Sequence, residues 1–161
     1  MSAVISPCGL YRYRLERHFR PGHGRSVAFI GVNPSTADAT TDDATVRKWI
    51  GFARRWDFDR IVVVNLFAYR STDVRSLALQ LDPVGPDNDG HVADVIAAAD
   101  LVVPCWGSHT KLPGRLQHRT QDVHGLIVRS GRAAKCLGRT ASGDPRHPLM
   151  LGYDTPLVDY P

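Results

Sequence analysis

The run Arg60-Ile-Val-Val-Val-Asn-Leu-Phe67 constrains the fold more than any other segment. It is short, β-branched and apolar almost throughout, without the polar alternation of a strand that faces water on one side. That pattern belongs to a strand covered on both faces, as in a parallel sheet between helices. One polar residue, Asn65, interrupts it close to its C-terminal end. Three further segments repeat the theme: Ser26 to Val32, Leu101 to Cys105 and, more weakly, Ala133 to Leu137. The first is stopped by Asn33-Pro34, where proline ends the ladder and the chain turns.

Helical spacing fills the intervals. Val46, Trp49, Ile50 and Ala53 recur on one face of a helix that Asp42 or Asp43 can cap and that ends near Trp56. A short helix from about Val74 to Gln80 follows a Ser71/Thr72 cap, Asp82 to Gly90 is a turn-rich loop, and helices are expected over Val92 to Ala99 and Leu116 to His124. Strand-then-helix alternation predicts an α/β fold, a three-layer α/β/α arrangement around a mostly parallel four-stranded central sheet, as a single domain over residues 1–161. In such sheets ligands bind beyond the carboxyl ends of the strands. Asn33, Asn65, Ser108, His109 and His147 all follow or end predicted strands, so one crevice can collect them.

Composition narrows the function classes. The longest apolar runs fall far short of a bilayer span, and the N-terminus has no basic region followed by a long apolar stretch, so the expectation is a soluble cytoplasmic protein with no membrane partner. Cys8, Cys105 and Cys136 are dispersed and odd in number, which suggests neither a disulfide framework nor a zinc or iron–sulfur site. No G-x-G-x-x-G follows the first strand and no G-x-x-x-x-G-K-[ST] loop is present, which argues against dinucleotide binding and P-loop phosphoryl transfer. No cofactor and no metal are expected. The net charge is +4, and all but three of the twenty basic residues are arginine, the side chain best suited to gripping phosphate. Nucleic acid is therefore a candidate partner, although modestly basic globular enzymes are common. Arg47, Arg70, Lys111, Arg139 and Arg146 are the candidates for a phosphate-binding rim; the alternative is that they are simply solvated.

Gly31-Val-Asn-Pro34, Val63-Val-Asn-Leu66, Trp106-Gly-Ser-His109 and His147-Pro148 stand at four successive strand ends. In this order they resemble the motifs of the uracil-DNA glycosylase superfamily over roughly residues 26–151. The stretches Asn33-Pro-Ser-Thr-Ala-Asp38, Asp42-Asp43, Val63-Val-Asn-Leu66, Gly85-Pro-Asp-Asn-Asp89 and Pro145-Arg-His-Pro-Leu149 more closely resemble a bacterial and phage family classed as a domain of unknown function. That nearer likeness names no activity, so the reaction is an expectation drawn from the superfamily alone.

The resemblance implies DNA as the partner, a nucleotide or nucleobase in the cleft, and a division of labour among the residues. Asn33 would hold the attacking water, although an amide cannot take its proton. Asp38, Asp42 and Asp43 are the candidates for the missing carboxylate. Asn65, which offers both a donor and an acceptor, would read a pyrimidine edge, and His147 would donate to the base oxygen as charge develops. Leu149, Met150 and Leu151 stand where relatives place a wedge that fills the hole left by an extruded nucleotide. Phe67 and Tyr69 are candidates to stack on the base. Where uracil-specific relatives carry a tyrosine that excludes a 5-substituent, this chain has Ser35, which implies a mismatched or modified pyrimidine as substrate. Plainer readings stay open: Asn33 as a turn residue before Pro34, His147 as a loop histidine, the apolar tail as a docking segment. Two rival functions also remain, a hydrolase or transferase acting on a free nucleotide and a non-catalytic module that binds DNA or a modified base.

Overall fold

In the computed structural model, residues 1–21, 24–35 and 37–161 are described. Thr36, within the Asn33–Asp38 motif, lies outside them. Strand β3 (Ser26–Gly31) runs through the middle of the sheet. It pairs in parallel with β4 (Arg60–Asn65) on one side and β5 (Leu101–Pro104) on the other, and β6 (Ala134–Cys136) continues in parallel from β5. The apolar runs thus form strands where their composition predicted them. Alternate residues of β3 and β4 serve two cores. Val27, Phe29, Ile61 and Val63 pack with Val46, Trp49 and Phe52 of α1 (Ala44–Arg55). Ala28, Ile30, Val62 and Val64 pack with residues of α2 (Asn88–Ala98) and α3 (Arg119–Ser130).

The sheet, however, is seven-stranded and mixed, in the order β1-β2-β4-β3-β5-β6-β7, which corrects the expectation of four strands. A hairpin of β1 (Ser2–Ile5) and β2 (Arg12–His18) adds antiparallel to the β4 edge, and β7 (Val158–Tyr160) adds antiparallel to β6. The reason β2 escaped the sequence reading is chemical: Arg12-Tyr-Arg-Leu-Glu-Arg-His18 looks like surface, yet both Arg12 and Arg17 are buried at 2% exposure. Arg17 is held by hydrogen bonds to Asp42 Oδ1 and to the carbonyls of Glu16, Asp38 and Thr41. It fastens the loop before α1 to the sheet edge.

Helix boundaries shifted for local reasons. Asp43, rather than Asp42, caps α1 by accepting from Val46 N at 2.9 Å. Val74–Leu79 is a 3-10 helix capped by Asp73 rather than by Ser71 or Thr72. Helix α2 begins inside the segment expected to be loop, because Asn88 is drawn inward to bond the end of β4. Leu116 belongs to a separate 3-10 turn, and α3 runs on to Ser130, where Gly131 adopts φ 66°, a left-handed conformation suited to glycine. No helix among the described residues is long and apolar enough to cross a membrane.

The topology locates a crevice. From β3 the chain passes through α1 to β4 on one side, whereas β5 lies on the other side and leads toward α3 on the opposite face. The loops after β3 and β5 therefore diverge, and a cleft opens between them.

Candidate functional site

A cavity of about 600 Å³ occupies this position. Asn33, Ser35, Asp43, Asn65, Lys111 and His147, six of the residues singled out in the sequence, line it. So do Arg12, Trp49 and Trp106, which were not assigned a functional role from sequence.

Asn65 is 2% exposed, and among the described residues its side-chain amide makes no hydrogen bond. The amide is not among the sealed polar atoms that lack a partner, so it opens onto the cavity, where solvent or a ligand can satisfy it. The fold invests in holding it there. Asn88 Nδ2 donates to the carbonyls of Asn65 and Leu66, each at 3.1 Å, and Arg119 Nε donates to Leu66 O at 2.8 Å. These bonds clamp the strand end just where it leaves the ladder. On the neighbouring strand Gly31 is paired with Asn65, and a Cβ at Gly31 would stand 2.8 Å from Asn65 Oδ1 and 3.2 Å from the Trp49 ring. Glycine leaves that space to the amide.

The two polar ends of Asn33 are used differently. Its Nδ2 donates to Ser71 O at 2.8 Å and to Pro34 O at 3.1 Å, which ties the loop after β3 to the loop after β4. Its Oδ1 receives no hydrogen bond among the described residues and remains an acceptor on the cavity. Of the three candidate carboxylates, only Asp43 lines the cavity. One of its oxygens caps α1, leaving the other without a partner among the described residues. Asp38 is turned into its own loop, where Thr40 N and Thr41 N hold its carboxyl below the usual range. Asp42 is engaged by Arg17.

His147 Nδ1 accepts from Leu149 N at 3.3 Å, which assigns the proton of the neutral ring to Nε2. Burial lowers its pKa, the charge of Lys111 lowers it further, and Asp43 partly opposes both. The ring is neutral at pH 7. A histidine with a folded-state pKa below the unfolded value of about 6.5 takes up its proton more readily in the unfolded chain. Its contribution to stability is therefore unchanged above that value and is lost as pH falls below it. Urea unfolding at pH 7.5 and 5.5 should show a smaller acid-induced loss in His147→Gln than in the wild type; equal losses would contradict this ionisation.

Arg12 is the largest omission from the sequence reading. Its Nη1 donates to Ala37 O, its Nε has no partner, and no salt bridge to it forms among the described residues. Trp49 and Trp106 supply aromatic surface to the cavity. The expected stacking residues do not: Phe67 is fully buried in the core beneath α2 and α3, and Tyr69 packs edge-on against Tyr11. Arg47 is bound to the Asp42 carbonyl, Arg70 to Gly9 O, and Arg139 lies over the Tyr160 ring, all away from the cavity lining. Arg146, Leu149 and Met150 line a groove that adjoins the cavity and shares Lys111 and His147 with it. Met150 is 90% exposed there.

The Trp106-Gly-Ser-His109 loop is braced from below. Asp144 Oδ2 accepts from His109 N, His109 Nδ1 and Ser142 Oγ at 2.7–2.9 Å. Burial pushes the Asp144 carboxyl up, but these hydrogen bonds outweigh it and hold the group below its ordinary value. His109 thereby orients a loop instead of facing the cavity. Among the described residues no group of three or more His, Cys, Asp or Glu side chains is arranged to hold a metal.

A family profile described as "Protein of unknown function (DUF1643)" matches residues 12–149. No curated protein and no solved structure matches the chain.

Proposed function

We propose, from the premise that the chain belongs to the DUF1643 family of proteins of unknown function, that its cleft hydrolyses the N-glycosidic bond of a mismatched or 5-substituted pyrimidine in DNA. The observation that carries this reading is the Asn65 amide, buried, clamped in place and without a partner among the described residues, on a cavity walled by two tryptophans. A pyrimidine edge supplies the carbonyl and ring N–H that such an amide can satisfy in one geometry. The motif resemblance to the uracil-DNA glycosylase superfamily supports the same assignment, within a three-layer arrangement of that type.

Each step falls to a group on the cavity. Water, accepted by Asn33 Oδ1, attacks the sugar carbon as the bond to the base nitrogen breaks. The electron pair leaves with the base, and His147 Nε2–H donates to the carbonyl oxygen on which the negative charge collects. The free oxygen of Asp43 takes the proton from water and opposes the positive charge on the sugar. Ser35 leaves room for a 5-substituent. The adjoining groove, with Arg146 and Lys111 for phosphate and the exposed Met150 and Leu149 as a wedge, suits a strand from which one nucleotide has been extruded.

Base release from duplexes carrying uracil, mismatches and 5-substituted pyrimidines tests the proposal. The wild type is expected to release a mismatched or substituted base, with losses of about 10- to 1000-fold in Asn33→Ala and His147→Ala. Equal activity in all three proteins would remove the site assignment, and efficient cleavage of uracil with none of substituted bases would remove the role given to Ser35. A second reading, hydrolysis of a free nucleotide, is favoured by Arg12, a cation enclosed in the cavity rather than placed on the surface where a duplex backbone runs.

A further inference from the structure

Arg12 sits at the start of β2, is 2% exposed and lines the cleft. A guanidinium withdrawn from water ordinarily meets a carboxylate, because desolvated charge is costly unless it is paired. Among the described residues this one bonds a single backbone carbonyl, of Ala37, through Nη1, while its Nε is sealed without a partner. Burial lowers its pKa to about 10, with Asp43 opposing the shift and Arg70 and Arg17 adding to it, so it is still a cation at pH 7. Asp43 is near enough to be felt but forms no salt bridge with it. Lys111 stands on the same cavity and also forms no salt bridge among the described residues. Of the three cations on the cavity lining, Arg75 is paired with Asp73, which leaves Arg12 and Lys111 against the one oxygen of Asp43 that accepts no hydrogen bond among the described residues. Unused donors on a planar fork match two oxygens of a phosphate or carboxylate.

We propose that Arg12 is the anion-binding residue of the cleft, and that the ligand brings an oxyanion group, a phosphate or a carboxylate, into the cavity together with its base. This rests on the cleft receiving a pyrimidine as proposed above. An internal phosphodiester needs room for chain on both sides, which a nearly sealed guanidinium does not offer. The anion is thus either a terminal phosphate on the sugar or an anionic substituent on the base.

Titration calorimetry on the full chain separates these sources. The ligands are deoxyuridine, deoxyuridine 5′-monophosphate, 5-carboxydeoxyuridine and inorganic phosphate, tested against wild type, Arg12→Gln, Arg12→Lys and Asn65→Ala. At least one of the two anionic nucleosides is expected to bind the wild type about 10- to 100-fold more tightly than deoxyuridine. Whichever one does so identifies the source. Arg12→Gln should abolish the difference and Arg12→Lys retain part of it; if the glutamine variant does not fold, the lysine variant and the wild-type comparison decide. Asn65→Ala should weaken all three nucleosides and leave phosphate binding intact. If deoxyuridine binds in an Asn65-dependent way and the anions add nothing, the anion site is overturned while the pyrimidine reading stands. If phosphate binds through Arg12 and no nucleoside binds, the anion site stands and the pyrimidine reading falls. Absence of any binding overturns both.

Discussion

Asp43→Asn is expected to lower base release by about 10²- to 10⁴-fold without disturbing the fold. The two roles of this side chain make the substitution informative. One oxygen caps α1 through Val46 N, and asparagine serves as an N-cap about as well as aspartate. What asparagine removes is the negative charge near Arg12 and His147, together with the one of the three candidate carboxylates, Asp38, Asp42 and Asp43, that lines the cavity. Kinetics of base release at saturating substrate, paired with a thermal melt, check both halves. A wild-type rate in a folded Asp43→Asn protein would eliminate Asp43 as the base. A rate loss matched by a lost melting transition would place the effect of the charge on folding instead of on proton transfer.

Arg17→Met should cost about 3 kcal/mol of stability, at the lower end for a broken buried pair because Asp42 is partly exposed and can be rehydrated. For a chain of this size that corresponds to roughly 6–12 °C in Tm. The loss reaches beyond one ion pair. Arg17 also donates to the carbonyls of Asp38 and Thr41, so its removal strips the loop that delivers Asp43 of its anchors on β2. Activity should fall with the stability, since Asp43 is positioned through this loop. Urea unfolding measures the first effect. A change below about 0.5 kcal/mol, the range of an ordinary surface substitution, would show that the loop does not depend on this residue.

The central strands were legible in the chain because their signal is local. Ile61 to Val64 and Val27 to Ile30 are apolar in succession, and their own composition requires cover on both faces. Asn65 was legible for the same reason: a lone amide in such a run has no packing explanation, and the structure clamps it at a strand end beside Gly31. Other features depend on partners distant in sequence. Arg12 and Arg17 read as surface until β2 pairs with β4 and the loop at 37–42 closes over them, and nothing in their spacing along the chain announces that. Asn88 looks like a turn residue until it meets carbonyls more than twenty positions away. Three aspartate candidates within six positions were equivalent in sequence, and the fold separated them by giving Asp42 to Arg17 and Asp38 to its own loop while turning Asp43 to the cavity. Apolar patterning and turn residues act within a few positions and can be read along the chain. Charge burial, free hydrogen-bonding capacity and the aim of a side chain arise only when distant segments meet, and the electrostatics of this cleft are of that second kind.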